Sequence, residues 1–175
     1  MEPILILDDD PATLECIAYV LRFDHYSVLE TSTGLQAINT GGQCGQLSLF
    51  VTDIELPDAS GIDIALKLVA LYPDLPVLVI SGNPMDWWAR KDVSNFSQSQ
   101  PNKVDFLEKP FPASELTMRV RNLIGRRSQR NEAAYPQVNS EAHHDIEAAT
   151  NRSLSIFGPR RSRVARSWSS CGLTL

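Results

Sequence analysis

No apolar run in the 175 residues approaches the ~20 that a membrane-spanning helix needs. The first apolar run is broken by Asp8, Asp9 and Asp10, so no secretory leader is expected, and the expected location is cytoplasmic. Cysteine is scarce. Cys16, Cys44 and Cys171 are odd in number and widely spaced, which leaves out a disulfide framework and a cysteine metal site. Histidine is equally scarce, and none stands at the end of an apolar run, so a Ser-His-Asp hydrolase lacks its base. His143 and His144 read as a surface pair. No Gly-rich phosphate loop follows a strand-like run, which leaves out P-loop and dinucleotide chemistry. No internal repeat is found.

What is present is uneven in charge. Residues 1–125 hold 8 Lys+Arg and 17 Asp+Glu, a net of −9, and residues 126–175 hold 8 Arg and 4 Asp+Glu, a net of +4. The acidic part alternates short apolar runs (Ile4–Leu7, Ser27–Leu29, Leu49–Val51, Val77–Ile80, Asp105–Leu107) with helix-like stretches. Leu14, Ile17, Ala18 and Leu21 follow the helical spacing. So do Ile64, Ala65, Leu68 and Leu71, and nearly so Leu116, Val120, Leu123 and Ile124. Residues 34–39 suit one more short helix. Pro11 and Pro112 sit where a first helical turn begins, and Asp10 before Pro11 is capping chemistry. This pattern predicts an α/β fold: a doubly wound, five-stranded parallel sheet with about five helices. After Ile124 the periodicity fails, so residues 1–125 are expected to form one domain. Residues 126–175 are expected to be an Arg- and Ser-rich, largely disordered tail with no effector domain of its own.

In a parallel sheet every strand delivers its C-terminal end to one edge, where ligands bind. The residues delivered here are Asp8, Asp9 and Asp10 after the first run, Asp53 after the third, Ser81 after the fourth and Lys109 after the fifth. Clustered carboxylates are hard oxygen donors suited to Mg²⁺. A carboxylate beside such a metal can attack phosphorus, and a hydroxyl and an ammonium then neutralise the transferring oxygens. The set is complete for phosphoryl transfer to Asp53.

The motifs "ILILDDDP", "VTDIELPDASG", "VLVISG" and "DFLEKPF", in that order, resemble those of a response-regulator receiver domain of two-component signalling, over roughly residues 1–125. The resemblance implies a flavodoxin-like sheet of order 2-1-3-4-5. It implies that Asp53 accepts a phosphoryl group from a sensor histidine kinase or phosphotransfer protein, with Mg²⁺ as cofactor. Asp9, Asp53 and the backbone carbonyl of Glu55 would bind the metal, and Asp8 would act through a metal-bound water. Lys109 and Ser81 would contact phosphoryl oxygens, and Phe106 would be the aromatic switch that rotates in behind Ser81. The family usually has a cis peptide bond before Pro110, and positions such as Glu55 and Asn83 tune phosphoryl lifetime. By the same resemblance the chain is a phosphoacceptor switch that assists its own phosphorylation and dephosphorylation, not an enzyme, and its output is contact with a downstream protein.

Simpler readings stand beside these. Asp8 and Asp9 could be a solvated turn, Ser81 a strand-end hydroxyl and Phe106 core, and the Trp87–Trp88 pair suits packing better than docking. The segment 81–109 is longer than the family leads one to expect. Its surplus is placed in "DVSNFSQSQPN", read as loop, which leaves the fourth helix without a clear position. The basic stretch, with five Arg between 152 and 166, offers an alternative output: binding of nucleic acid or of an anionic membrane surface.

Overall fold

The structure is a computed structural model and describes residues 2–82, 91–101 and 103–134. The Trp87–Trp88 pair, Asn83, and the expected disorder and function of the chain beyond residue 134 lie outside the described residues.

Five strands form one parallel sheet: β1 (Ile4–Leu7), β2 (Val28–Thr31), β3 (Leu49–Asp53), β4 (Val77–Ser81) and β5 (Val104–Glu108). Their order is β2-β1-β3-β4-β5, as the resemblance implies. Among the described residues the helices between and after them are α1 (Pro11–Phe23), α2 (Gly34–Gln43), α3 (Gly61–Leu71), α4 (Lys91–Ser99) and α5 (Ala113–Ala134). The strand period of two explains the layers. Ile4, Ile6, Leu49, Val51, Leu78, Ile80 and Leu107 pack with Ile17, Ala18 and Leu21 of α1 and Leu116, Val120 and Leu123 of α5. Leu5, Leu7, Phe50, Val77 and Val79 turn the other way, toward Ala37 of α2, Ile64 and Leu68 of α3 and Phe96 of α4. A sheet covered on both faces has no polar side, which is why β1 is apolar throughout.

Local chemistry fixes the helix starts. Asp10 caps α1, accepting from the amides of Ala12 and Thr13 and from the Thr13 hydroxyl, with Pro11 as first helical residue. Thr33 caps α2 through the amide of Gln36. At the far end of α1, His25 takes a positive φ of 66°, a conformation uncommon outside glycine, and the chain turns there into β2.

Three expectations need correction. The segment expected to be a surplus loop contains α4, whose Val93 and Phe96 are buried against the α3 side of the core. The polar composition hid it, because two apolar residues three apart suffice to dock one helical face. The last helix does not end near residue 125 but runs to Ala134, nine residues into the region expected to be tail. Arg127 holds that extension down: its guanidinium donates to the Glu2 carboxylate and to the Leu47 carbonyl. The helix predicted over 34–39 continues to Gln43.

Candidate functional site

The β1, β3 and β5 ends meet at one edge of the sheet, and side-chain alternation decides what faces what. Asp8, Asp53 and Lys109 continue the strand positions that face α1 and α5. Ser81 and Phe106 continue those that face α2, α3 and α4. In register, Leu7 pairs with Thr52 and Asp53 with Ile80, so Asp8 and Asp53 emerge side by side on neighbouring strands. The Lys109 amide donates to the Ser81 carbonyl at 2.8 Å, which fixes the β5 exit against β4.

Lys109 brings the acids together. Its Nζ lies 2.8 Å from Asp8 Oδ2 and 2.6 Å from Asp53 Oδ2, although the residues are far apart in sequence. Burial works to lower the lysine pKa, but the hydrogen bonds and charges of Asp53 and Asp8 outweigh it and leave the pKa raised. Asp8 is 1% exposed and also accepts from the Asp10 amide at 3.0 Å. Burial raises its pKa above 3.8 despite the lysine, and the Asp53 charge adds to the rise. Asp10 has a lowered pKa because the Thr13 hydroxyl and amide hydrogen-bond its carboxylate. Its carboxylate serves α1, and only its backbone amide reaches Asp8.

Asp53 is held by its own loop. Its Oδ1 accepts from the Glu55 amide at 3.0 Å. The loop closes through the Gly61 amide on the Ile54 carbonyl and a bridge between Glu55 and Ser60. Its tip is tied to α2, where Asp58 accepts from the Gly34 amide at 3.0 Å. A Cβ on Gly61 would stand 1.8 Å from the Asp53 carbonyl oxygen, so only glycine fits this close approach. Gly61 and Asp58 are the residues that sequence reasoning missed. The turn-like "LPDASG" carried the signal, but not the contacts across the loop.

The remaining expected residues fall as follows. Asp9 is exposed beside the triad. Ser81 is buried at the end of β4. Phe106 is half-buried, paired in register with Val79 and packed against the α2–α4 side of the core. Ser81 and Phe106 therefore share one face of adjacent strands. The Lys109–Pro110 peptide bond is cis. Among the described residues no three His, Cys, Asp or Glu side chains are grouped so as to hold a metal ion. The acids at this edge, exposed Asp9, partly buried Asp53 and buried Asp8, are hard oxygen donors of the kind Mg²⁺ takes.

A sequence profile of the response regulator receiver domain matches residues 4–121. The chain belongs to that family. Over 156 residues this receiver-bearing chain is 31% identical to the response regulator protein TmoT of Ectopseudomonas mendocina, covering 88% of the chain and 66% of TmoT. Over 123 residues it is 27% identical to the cell cycle transcriptional regulator CtrA of Caulobacter vibrioides, covering 70% of the chain and 50% of CtrA. The chain thus spans between half and two thirds of the length of these relatives. The crystal structure of a CheY-like receiver domain protein from Methanospirillum hungatei superposes with a TM-score of 0.65. It is 24% identical and covers 74% of the chain and 98% of that domain, a likeness of fold. Among the described residues no helix is long and apolar enough to cross a membrane.

Proposed function

We propose that the receiver is a cytoplasmic switch that takes a phosphoryl group onto Asp53 from a sensor histidine kinase or a phosphotransfer protein. The observation that carries this reading is Lys109 Nζ set between Asp8 and Asp53 at 2.8 and 2.6 Å. A carboxylate oxygen of Asp53 attacks phosphorus; the new P–O bond forms as the P–N bond to the donor imidazole breaks. Lys109, already at the acceptor oxygen, offsets the negative charge carried by the arriving phosphoryl group, with no reorganisation of the site needed. The Glu55 amide fixes the second Asp53 oxygen, so the attacking carboxylate cannot rotate freely.

Asp8, Asp9, Asp53 and the Glu55 carbonyl would hold Mg²⁺, which when bound neutralises phosphoryl charge. Ser81 supplies a hydroxyl to a phosphoryl oxygen, and Phe106, on the same sheet face, follows it. The α4–β5–α5 surface is thereby remodelled for a downstream protein. The chain is a signalling switch rather than an enzyme with a separate substrate, and it assists its own phosphorylation and dephosphorylation. The test is label uptake from a small-molecule phosphodonor with Mg²⁺. Wild type takes up label and Asp53→Asn does not; equal uptake overturns the reading.

A second reading makes the basic stretch an output that binds nucleic acid. Two facts favour it. The match to TmoT extends over 156 residues, more than the receiver profile covers, and CtrA is a transcriptional regulator. An anionic membrane surface is the other acceptor the same arginines suit.

A further inference from the structure

Helix α1 carries two apolar stripes on opposite faces. Leu14, Ile17, Ala18 and Leu21 face the sheet. At about 100° per residue, Ala12, Cys16, Tyr19 and Phe23 fall on the opposite side. All four are exposed, Tyr19 at 70% and Phe23 at 75%. Their 4-3-4 spacing is that of a seam between two packed helices. A recess of about 280 Å³ between α1 and α5, lined by Tyr19, Val20, Phe23, Asp24, Ala113, Ser114 and Thr117, extends the surface to one side.

We propose that this stripe is a self-association surface on which α1 of a second copy packs antiparallel about a two-fold axis between Cys16 and Tyr19. Three features of the sequence on this face select that occupant. In the antiparallel register Ala12 meets the second copy's Phe23 and Cys16 meets its Tyr19, so every layer sets a small side chain against an aromatic one. Glu15 and Arg22 lie on one flank of the stripe, seven residues apart, and the two-fold axis places each Glu15 beside the second copy's Arg22, twice over. Arg22 already pairs with Glu30, and its remaining donors accommodate a second carboxylate. On the other flank Thr13 and Val20 are uncharged, and Asp24 at its end is already paired with Arg121. A parallel pairing would set Glu15 beside Val20 and waste the match. Because the two stripes are diametrically opposed, each sheet lies on the far side of its own α1. Four layers make a small interface, of the size class that associates transiently.

Sedimentation of the full chain across a concentration series tests this. Wild type is expected to show a reversible monomer–dimer equilibrium. Tyr19→Asp and Phe23→Asp are expected to be monomeric throughout with unchanged thermal unfolding, since both side chains are exposed. Glu15→Arg should weaken the dimer about tenfold, because two symmetric ion pairs are disturbed at once. Adding Arg22→Glu to it should restore the dimer. In a Cys44→Ser, Cys171→Ser background, a short bis-maleimide should capture the dimer through Cys16. A wild type that stays monomeric overturns the proposal, as does a dimer indifferent to Phe23→Asp, or a charge swap that restores nothing. A monomeric wild type whose phosphotransfer from a histidine donor fails in Phe23→Asp would assign the stripe to the donor's helix instead, and also overturns it.

Discussion

Asp8 shows how one residue is set against its own fold. It is buried, and its pKa is raised above 3.8 by that burial in spite of Lys109. A raised pKa means that the folded state holds the proton more firmly than the unfolded chain. Ionisation therefore costs stability as pH climbs from 3.8 through the folded-state value, and that cost is fully present at neutral pH. Asp8→Asn removes it while leaving Lys109 paired with Asp53. The variant is expected to have a higher Tm than wild type at pH 7, with the difference vanishing below pH 3.8. The same variant should lose Mg²⁺-supported phosphorylation. Added Mg²⁺ should raise the Tm of wild type and leave the variant nearly unmoved. Asp10 has the opposite sign: its pKa is lowered by Thr13, so its contribution is present above pH 3.8 and is lost as pH falls through the lowered value. Asp10→Ala should lower Tm at pH 7 and converge on wild type in acid, and Asp10→Asn, which can still cap the helix, should keep most of the stability. Gly61→Ala meets backbone rather than a yielding side chain, and a loss of at least ~2 kcal/mol is expected in denaturant unfolding.

At the scale of elements, what the sequence showed depended on how local the determining chemistry was. The "DDDP" start of α1 was legible because cap and proline are adjacent in the chain. The convergence of Asp8, Asp53 and Lys109 was legible once the strands were taken as parallel, because topology alone puts their ends on one edge. The division of Ser81 and Phe106 from that triad follows from strand parity but needs the true strand bounds. Helix α4 was not legible: Val93 and Phe96 are its buried residues, set in Ser, Asn and Gln, and only the α3 face they pack on makes them a stripe. Phe96 is 2% exposed, so Phe96→Ala should cost ~3 kcal/mol. If α4 anchors the face that Phe106 serves, that variant should also uncouple phosphorylation from partner binding. Denaturant unfolding and a phosphorylation assay, run side by side, separate the two effects. The end of α5 was hidden for a different reason. Gly125 and three arginines interrupt the apolar period there, and the anchoring contact of Arg127 reaches across the fold to Glu2 and Leu47.

For the molecule as a whole, the end of α5 at Ala134 changes how the charge asymmetry must be tested. Arg126, Arg127 and Arg130 belong to the helix, and Arg127 is committed to Glu2 and the Leu47 carbonyl. The arginines that would account for nucleic-acid binding are then the five between 152 and 166. A cut at residue 125 would confuse two effects, because it removes the Arg127 clasp together with the basic stretch. A 1–134 chain keeps the clasp and is expected to unfold at the same temperature as the full chain, whereas a 1–125 chain should unfold several degrees lower. With 1–134 as the control, DNA binding measured against salt concentration isolates the tail. Each phosphate neutralised contributes about −0.9 to the slope of log K on log salt, so five arginines set a ceiling near −4.5 for the full chain. The 1–134 chain, still acidic at a net −7, should show no measurable binding. Equal, weak binding by both chains would remove the nucleic-acid reading and leave protein contact as the output.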